Sequence, residues 1–260
     1  MQRFLPSLQN VLKLTRLTPL LDCLKVFSMK LSKFTRLGVI AALCSSLWAC
    51  GDEDEKNEFV NNMLGIWYLG ATDGCIDLYD SNNEAVSGVK QRYQMTLEAD
   101  GDNYTYSVAN TVYTGTTCET ANIFFNLTYS GKFAVGEESD IDLDPVGREM
   151  TNTIETYSAT FSTDNAITKA NASDYQTGGF CGLTTWVKDT ATDVTGRTCQ
   201  WFDATAKTGE KDVIQVSSDG LMLYNGKRKQ PWGGFGGTTD DDGFPTAMET
   251  TARLIWHKQS

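Results

Sequence analysis

From Leu64 onward, hydrophobic and polar residues alternate with a period of two over short runs, and Gly, Asn and Asp clusters separate the runs. That period is the one a half-buried strand requires, because successive side chains point to opposite faces. Val89 to Leu97 places Tyr93, Met95 and Leu97 on one face and Arg92, Gln94 and Thr96 on the other. Ala99 to Asn103 reads as a turn, since Gly and Asn tolerate the positive φ of tight hairpins. Tyr104, Tyr106 and Val108 then alternate on a returning strand. Further strands are predicted over Ile123 to Val135, Ile154 to Phe161, Val213 to Val216, Leu221 to Tyr224 and Ala252 to His257, with a hairpin turn at Ser218–Asp219–Gly220. No helical periodicity is evident after residue 62. Asn165 to Gly179 reads as a polar loop, and Glu53 to Asn62 as a polar tether. The pattern predicts an all-β fold.

The first 49 residues follow a different pattern. After Met29, the basic Lys30, Lys33 and Arg36 precede an apolar run from Leu37 to Ala49, which is too short to span a bilayer as a helix. It ends in Leu47–Trp48–Ala49–Cys50, followed by Gly51 and the acidic run Asp52 to Glu55. This order resembles a bacterial lipoprotein signal peptide with its lipobox, which implies cleavage before Cys50 and a lipid on that cysteine. Trp48 stands where the lipobox usually has a small residue. Met1 to Ser28 fits no leader pattern, so Met29 is an alternative start. The basic, acid-poor character of that segment leaves a mitochondrial-type presequence as a rival reading. The expected organisation is a leader over 1–49, a lipidated cysteine and acidic tether over 50–63, and a β domain over 64–260.

Composition narrows the partners. The chain of 260 residues is 40% hydrophobic, enough for a sizeable core. From Cys50 onward it carries 15 Lys and Arg against 32 Asp and Glu, a formal charge of −17. Such a body repels phosphate backbones, which argues against nucleic acid as a partner. It also resists an anionic membrane surface, so the membrane hold is expected to come from the lipid. Four cysteines lie beyond the leader: Cys75, Cys118, Cys181 and Cys199. In an exported chain they are expected to form disulfides, with three connectivities open. Sequence order favours Cys75–Cys118 and Cys181–Cys199. A zinc site would need a Cys-x-x-Cys pair or several histidines, and His257 is the single histidine of the chain.

A longer pattern runs through the domain. Leu64–Gly65–Ile66–Trp67 opens it, and Cys75 follows. A Tyr-rich hairpin leads to Tyr113 and Cys118, and then comes Tyr129–Ser130–Gly131–Lys132–Phe133–Ala134–Val135–Gly136. The Gly-x-Trp opening resembles lipocalin-like barrels, in which the Trp closes one end. The longer set, with the closing segments at 212–216, 221–224 and Phe244–Pro245–Thr246, is similar to bacterial lipoproteins related to the adenomatosis-polyposis-coli-down-regulated domain. Glu119–Thr120–Ala121 stands where that family often has a proline, and Phe244–Pro245 replaces an Arg-Pro. The resemblance implies a lipocalin-like antiparallel barrel or half-barrel whose concave face holds an apolar ligand, and a binding protein rather than an enzyme. Trp67, Tyr93, Met95, Tyr104 and Tyr106 are the expected ligand contacts, although small barrels often fill their interiors with such side chains.

Candidates for chemistry are sparse. Nucleophilic catalysis needs a base beside a Ser or Cys, and no motif accompanies His257. Asp240–Asp241–Asp242–Gly243 and Asp100 to Asn103 lack the alternating ligands of a calcium loop and read as solvated turns. Lys227–Arg228–Lys229 precedes Pro231 to Gly237, which carries Trp232 and Phe235, an alternative surface for a macromolecular partner. The expectation is a lipid-anchored protein of the cell envelope, at the outer membrane, that binds a small apolar ligand without a cofactor or metal. The alternative is a surface interaction protein that acts through its loops.

Overall fold

Branched and aromatic side chains favour a pleated, half-buried surface, and the Thr-, Tyr- and Val-rich runs form strands accordingly. A computed structural model describes residues 54–79, 84–100, 103–174, 178–199, 202–227 and 237–259. The chain divides into two units, Met1–Glu58 and Phe59–Ser260. Of the first, residues 54–58 are described and are helical. The leader, the lipobox and Cys50 lie outside the described residues, as does most of the loop carrying Trp232 and Phe235.

Among the described residues ten strands follow: β1 Gly65–Leu69, β2 Cys75–Tyr79, β3 Ala85–Asp100, β4 Asn103–Thr114, β5 Ile123–Glu138, β6 Arg148–Phe161, β7 Thr192–Asp193, β8 Lys207–Val216, β9 Met222–Asn225 and β10 Trp256–Lys258. The order β1-β10-β9-β8-β6-β5-β4-β3 is antiparallel throughout, and a β1–β3 pairing closes it into an eight-stranded barrel. The predicted all-β, lipocalin-like class is the fold observed.

Four strands are longer than the barrel needs. β3 and β5 have 16 residues each, β6 has 14 and β4 has 12. β1 pairs with Gln94 to Leu97 of β3, whereas β2 takes the same edge at Ala85 to Arg92. In the same way, β8 pairs with the first half of β6, and β7 pairs with Ser158 and Ala159. The long strands therefore leave the barrel and continue as an open sheet edged by β2 and β7.

Each tier has its own core, and one strand face feeds both. On β5, Phe133 and Val135 point into the barrel, while Phe125 and Leu127 point into the core under the open sheet. The barrel interior is filled from several sides by Trp67, Leu97, Met150, Ile214, Val216 and Leu223. Filling of this kind is ordinary for an eight-stranded barrel. The second core lies between the open sheet and a cover made of the α-helix Asp164–Asn171 and the mostly irregular segments 178–199 and 202–204. Phe180, fully buried, meets Phe161 and Trp186 edge to face there, with ring centroids 5.1 and 5.6 Å away. Two disulfides, Cys75–Cys118 and Cys181–Cys199, tie β2 and the cover in place, in the pairing that sequence order favoured.

Three local expectations are corrected. The segment read as a tether is helical over 54–63, and within the compact unit Val60 and Met63 of its last turn are buried in the barrel core. The loop predicted over Asn165 to Gly179 begins as a helix, because Thr163 caps it by accepting from the Ala166 backbone N–H at 3.2 Å. The last strand is shorter and later than Ala252 to His257. Ala252–Leu254 is a 3-10 turn, and only Trp256–Lys258 pairs with β1 and β9.

Candidate functional site

The inner face of β3–β6 carries rows of side chains set by strand register. Met95 on β3 stands opposite Val108, which stands opposite Tyr129, which stands opposite Tyr157. The adjacent row holds Leu97, Tyr106, Gly131 and Ile154, and the next holds Tyr104 and Phe133. Tyr104 stacks on Phe133 at 5.3 Å between centroids with the planes 21° apart. Tyr106 meets Tyr129 edge to face at 6.4 Å, Tyr129 meets Tyr157 at 5.8 Å, and Tyr157 stacks on Phe202 at 6.5 Å. Tyr104, Tyr106, Tyr129, Met95 and Phe202 are half-buried, so this aromatic row is presented rather than sealed.

Backbone geometry makes room for the row. Glu155 is an extra residue in β6, because Gly131 pairs with Ile154 while Ser130 pairs with Thr156. The bulge brings the Thr153 carbonyl so close to Gly131 that a Cβ there would collide with it. With no side chain at 131, the Tyr106 ring reaches across, and its hydroxyl donates to that carbonyl at 3.4 Å.

A polar node sits one step along the same face. The Asn110 side-chain amide donates to the Tyr93 hydroxyl at 2.9 Å. Burial, reinforced by the nearby Tyr129 hydroxyl, pushes the Tyr93 phenol well above its ordinary range, so it stays neutral. Asn110 itself is 8% exposed, and its side-chain carbonyl has no hydrogen-bond partner.

The five predicted contact residues thus fall into two groups. Tyr93, Met95, Tyr104 and Tyr106 share the inner face of one hairpin. Trp67 is apart from them in burial: it is fully enclosed, its indole N–H donates to the Met63 carbonyl at 2.8 Å, and the Lys258 ammonium lies 5.1 Å from the ring centroid. Burial lowers the Lys258 pKa, while its ammonium donates to the Asn62 carbonyl at 2.8 Å. Trp67 is a plug of the barrel. Asn110, Tyr129 and Tyr157 were missed, although the alternation Phe125, Leu127, Tyr129, Gly131, Phe133, Val135 would have placed Tyr129. Phe202 comes from irregular chain and carried no pattern.

Outside the barrel wall, a cavity of about 150 Å³ is lined by Asp140, Ile141, Glu149, Val213, Asp240, Phe244 and neighbours. That is smaller than a typical small-molecule pocket, which has ~300–1,000 Å³. Desolvation, then repulsion from Asp240 and Asp242, raises the Glu149 pKa, with Lys211 opposing. Asp240 uses its carboxylate to accept from the Phe244 N–H at 2.8 Å, as expected of a turn residue. Among the described residues no three His, Cys, Asp or Glu side chains converge as a metal site. His257 lies on β10 opposite Tyr68 and Met222.

No protein-family model matches the chain, and comparison with curated proteins gives no significant match. Function therefore has to be argued from the site.

Proposed function

We propose that this protein is an exported bacterial lipoprotein of the cell envelope, held at the outer membrane by a lipid on Cys50, that binds a small, largely apolar ligand on the aromatic face of β3–β6. The reading keeps the resemblance to lipoproteins related to the adenomatosis-polyposis-coli-down-regulated domain, and it assigns binding rather than catalysis. The cluster of Tyr104, Tyr106 and Tyr129, backed by the buried Tyr157, carries it, because half-buried aromatic rings beside polar handles are what a small-molecule site offers. The packed barrel centre moves the proposed site away from a closed calyx and onto the face where barrel and open sheet meet.

The filled interior also favours a second reading, an interaction protein that acts through its loops. One experiment separates them. An environment-sensitive apolar dye is titrated into the Gly51–Ser260 fragment, with thermal melts run in parallel. A saturable enhancement that Tyr106→Asp and Tyr129→Ala each weaken about tenfold, without loss of the melt, supports the aromatic site. A folded fragment that binds no dye supports the loop reading.

A further inference from the structure

We infer that the ligand of this aromatic face carries a neutral, hydrogen-bond-donating head, a hydroxyl on an apolar chain, which docks at the Asn110 side-chain carbonyl, and that free carboxylates are rejected. The inference rests on the reading of β3–β6 as a binding face.

Asn110 is on β4, directly opposite Tyr93 on β3 and Leu127 on β5. Its neighbours along the strand on the same face are Val108, which lies between Met95 and Tyr129, and Val112. The amide therefore sits in the floor of the face, flanked by apolar and aromatic side chains. Its N–H is committed to the Tyr93 hydroxyl, and its carbonyl is buried without a partner. A buried carbonyl with no donor is costly, and buried polar atoms are normally satisfied. If the amide is turned over, its N–H is the atom left over. Either way round the amide bonds the Tyr93 hydroxyl, which can donate as well as accept; in the orientation the structure shows, the missing group is a donor.

Charge settles the kind of donor. β3 to β6 contain four cations, Lys90, Arg92, Lys132 and Arg148. Lys90 pairs with Asp77, Lys132 with Glu155 and Arg148 with Glu138. Arg92 lies against the rings of Tyr68 and Tyr113 and donates to the Asp73 carbonyl at 2.8 Å. None of the four is directed at Asn110. An anionic head would meet a carbonyl oxygen and a neutral phenol, in a domain already strongly acidic, with no counter-charge supplied by the described residues of these four strands. Burying an unpaired charge there is unfavourable. A hydroxyl supplies the absent donor, and its chain can lie along Met95, Tyr106 and Tyr129.

The test uses the full chain in lipid nanodiscs, with protein-free nanodiscs subtracted, and calorimetric titration of 1-octanol, octyl methyl ether and octanoate at pH 8. The ether accepts but cannot donate, and octanoate is an anion. Octanol is expected to bind about tenfold more tightly than either. Asn110→Leu is expected to erase that preference while leaving ether binding intact. Asn110→Asp, close to isosteric, covers the case in which the leucine variant does not fold. It is expected to keep octanol binding and to admit octylamine, which the native chain binds less well. Equal affinities for all three ligands would overturn the inference and leave the aromatic site standing. No binding of any of them would remove both. An octanol preference that persists in folded Asn110→Leu, or a variant that shifts the melt alone, would mean that Asn110 only holds a trapped water, and would also overturn it.

Discussion

Gly131 shows how much of the site hangs on one missing atom. Its neighbours on the inner face are large, and the Thr153 carbonyl occupies the space a methyl group would need. Gly131→Ala must push the bulge of β6 aside, at a cost of about 1–3 kcal/mol. A urea titration read by tryptophan fluorescence measures this, and an unchanged midpoint would refute it. Glu149 illustrates a charge the fold tolerates at some expense. Its carboxyl is held above the ordinary range by burial and by Asp240 and Asp242, so the folded chain keeps that proton to higher pH than the unfolded chain does. Ionised Glu149 thus opposes folding. The penalty is absent below the ordinary carboxylate range, grows as pH rises through it, and is complete above the raised value. Glu149→Gln is expected to raise the melting temperature at pH 7.5 by no more than about 2 °C and to leave it unchanged at pH 3. A rise at the lower pH would contradict the assignment.

Among the elements, the last turn of the 54–63 helix matters more than its polar sequence suggests. Met63 is fully buried, and its carbonyl receives the Trp67 indole. Met63→Ala is expected to destabilise the compact unit by about 2–5 kcal/mol, as core truncations do, measured by calorimetry. The sequence signal there was dominated by Asp52 to Glu58, and two buried residues near the end of a short helix leave too little periodicity to detect. The long hairpin strands were legible because alternation persists over many residues, and so Tyr93, Met95, Tyr104 and Tyr106 were correctly placed on one face. β2 and β7 were not legible. Cys75–Tyr79 lacks a clean alternation, and Thr192–Asp193 is two residues held by the cover. The cover segments 178–199 and 202–204 have no repeating pattern because Phe180 comes from a 3-10 turn of helix and Trp186 and Phe202 from irregular chain, and a covalent link holds them. Removing the Cys181–Cys199 disulfide, which spans 18 residues, is expected to cost about 3 kcal/mol. Limited proteolysis should then cut first within 178–204, and cleavage elsewhere first would argue against this role.

At the scale of the whole molecule, the proposed address and the proposed binding face are tested separately. The proposed anchor rests on Cys50 alone: Cys50→Ala is expected to abolish fatty-acid labelling and release the protein from membranes, and undiminished labelling would remove that part of the proposal. The folded unit makes its own demand on how the chain is produced. The ring shuts where Trp67 meets both Met95 and Lys258, and the second of those contacts joins one of the earliest strand residues to one of the last. A polypeptide emerging from a ribosome or a translocation pore in N-to-C order can zip β3 to β6 as they appear, but it has nothing to shut against until β10 arrives. Through most of synthesis the nascent chain is an unclosed ribbon with a greasy inner side. A stop codon a few positions early would leave it that way permanently.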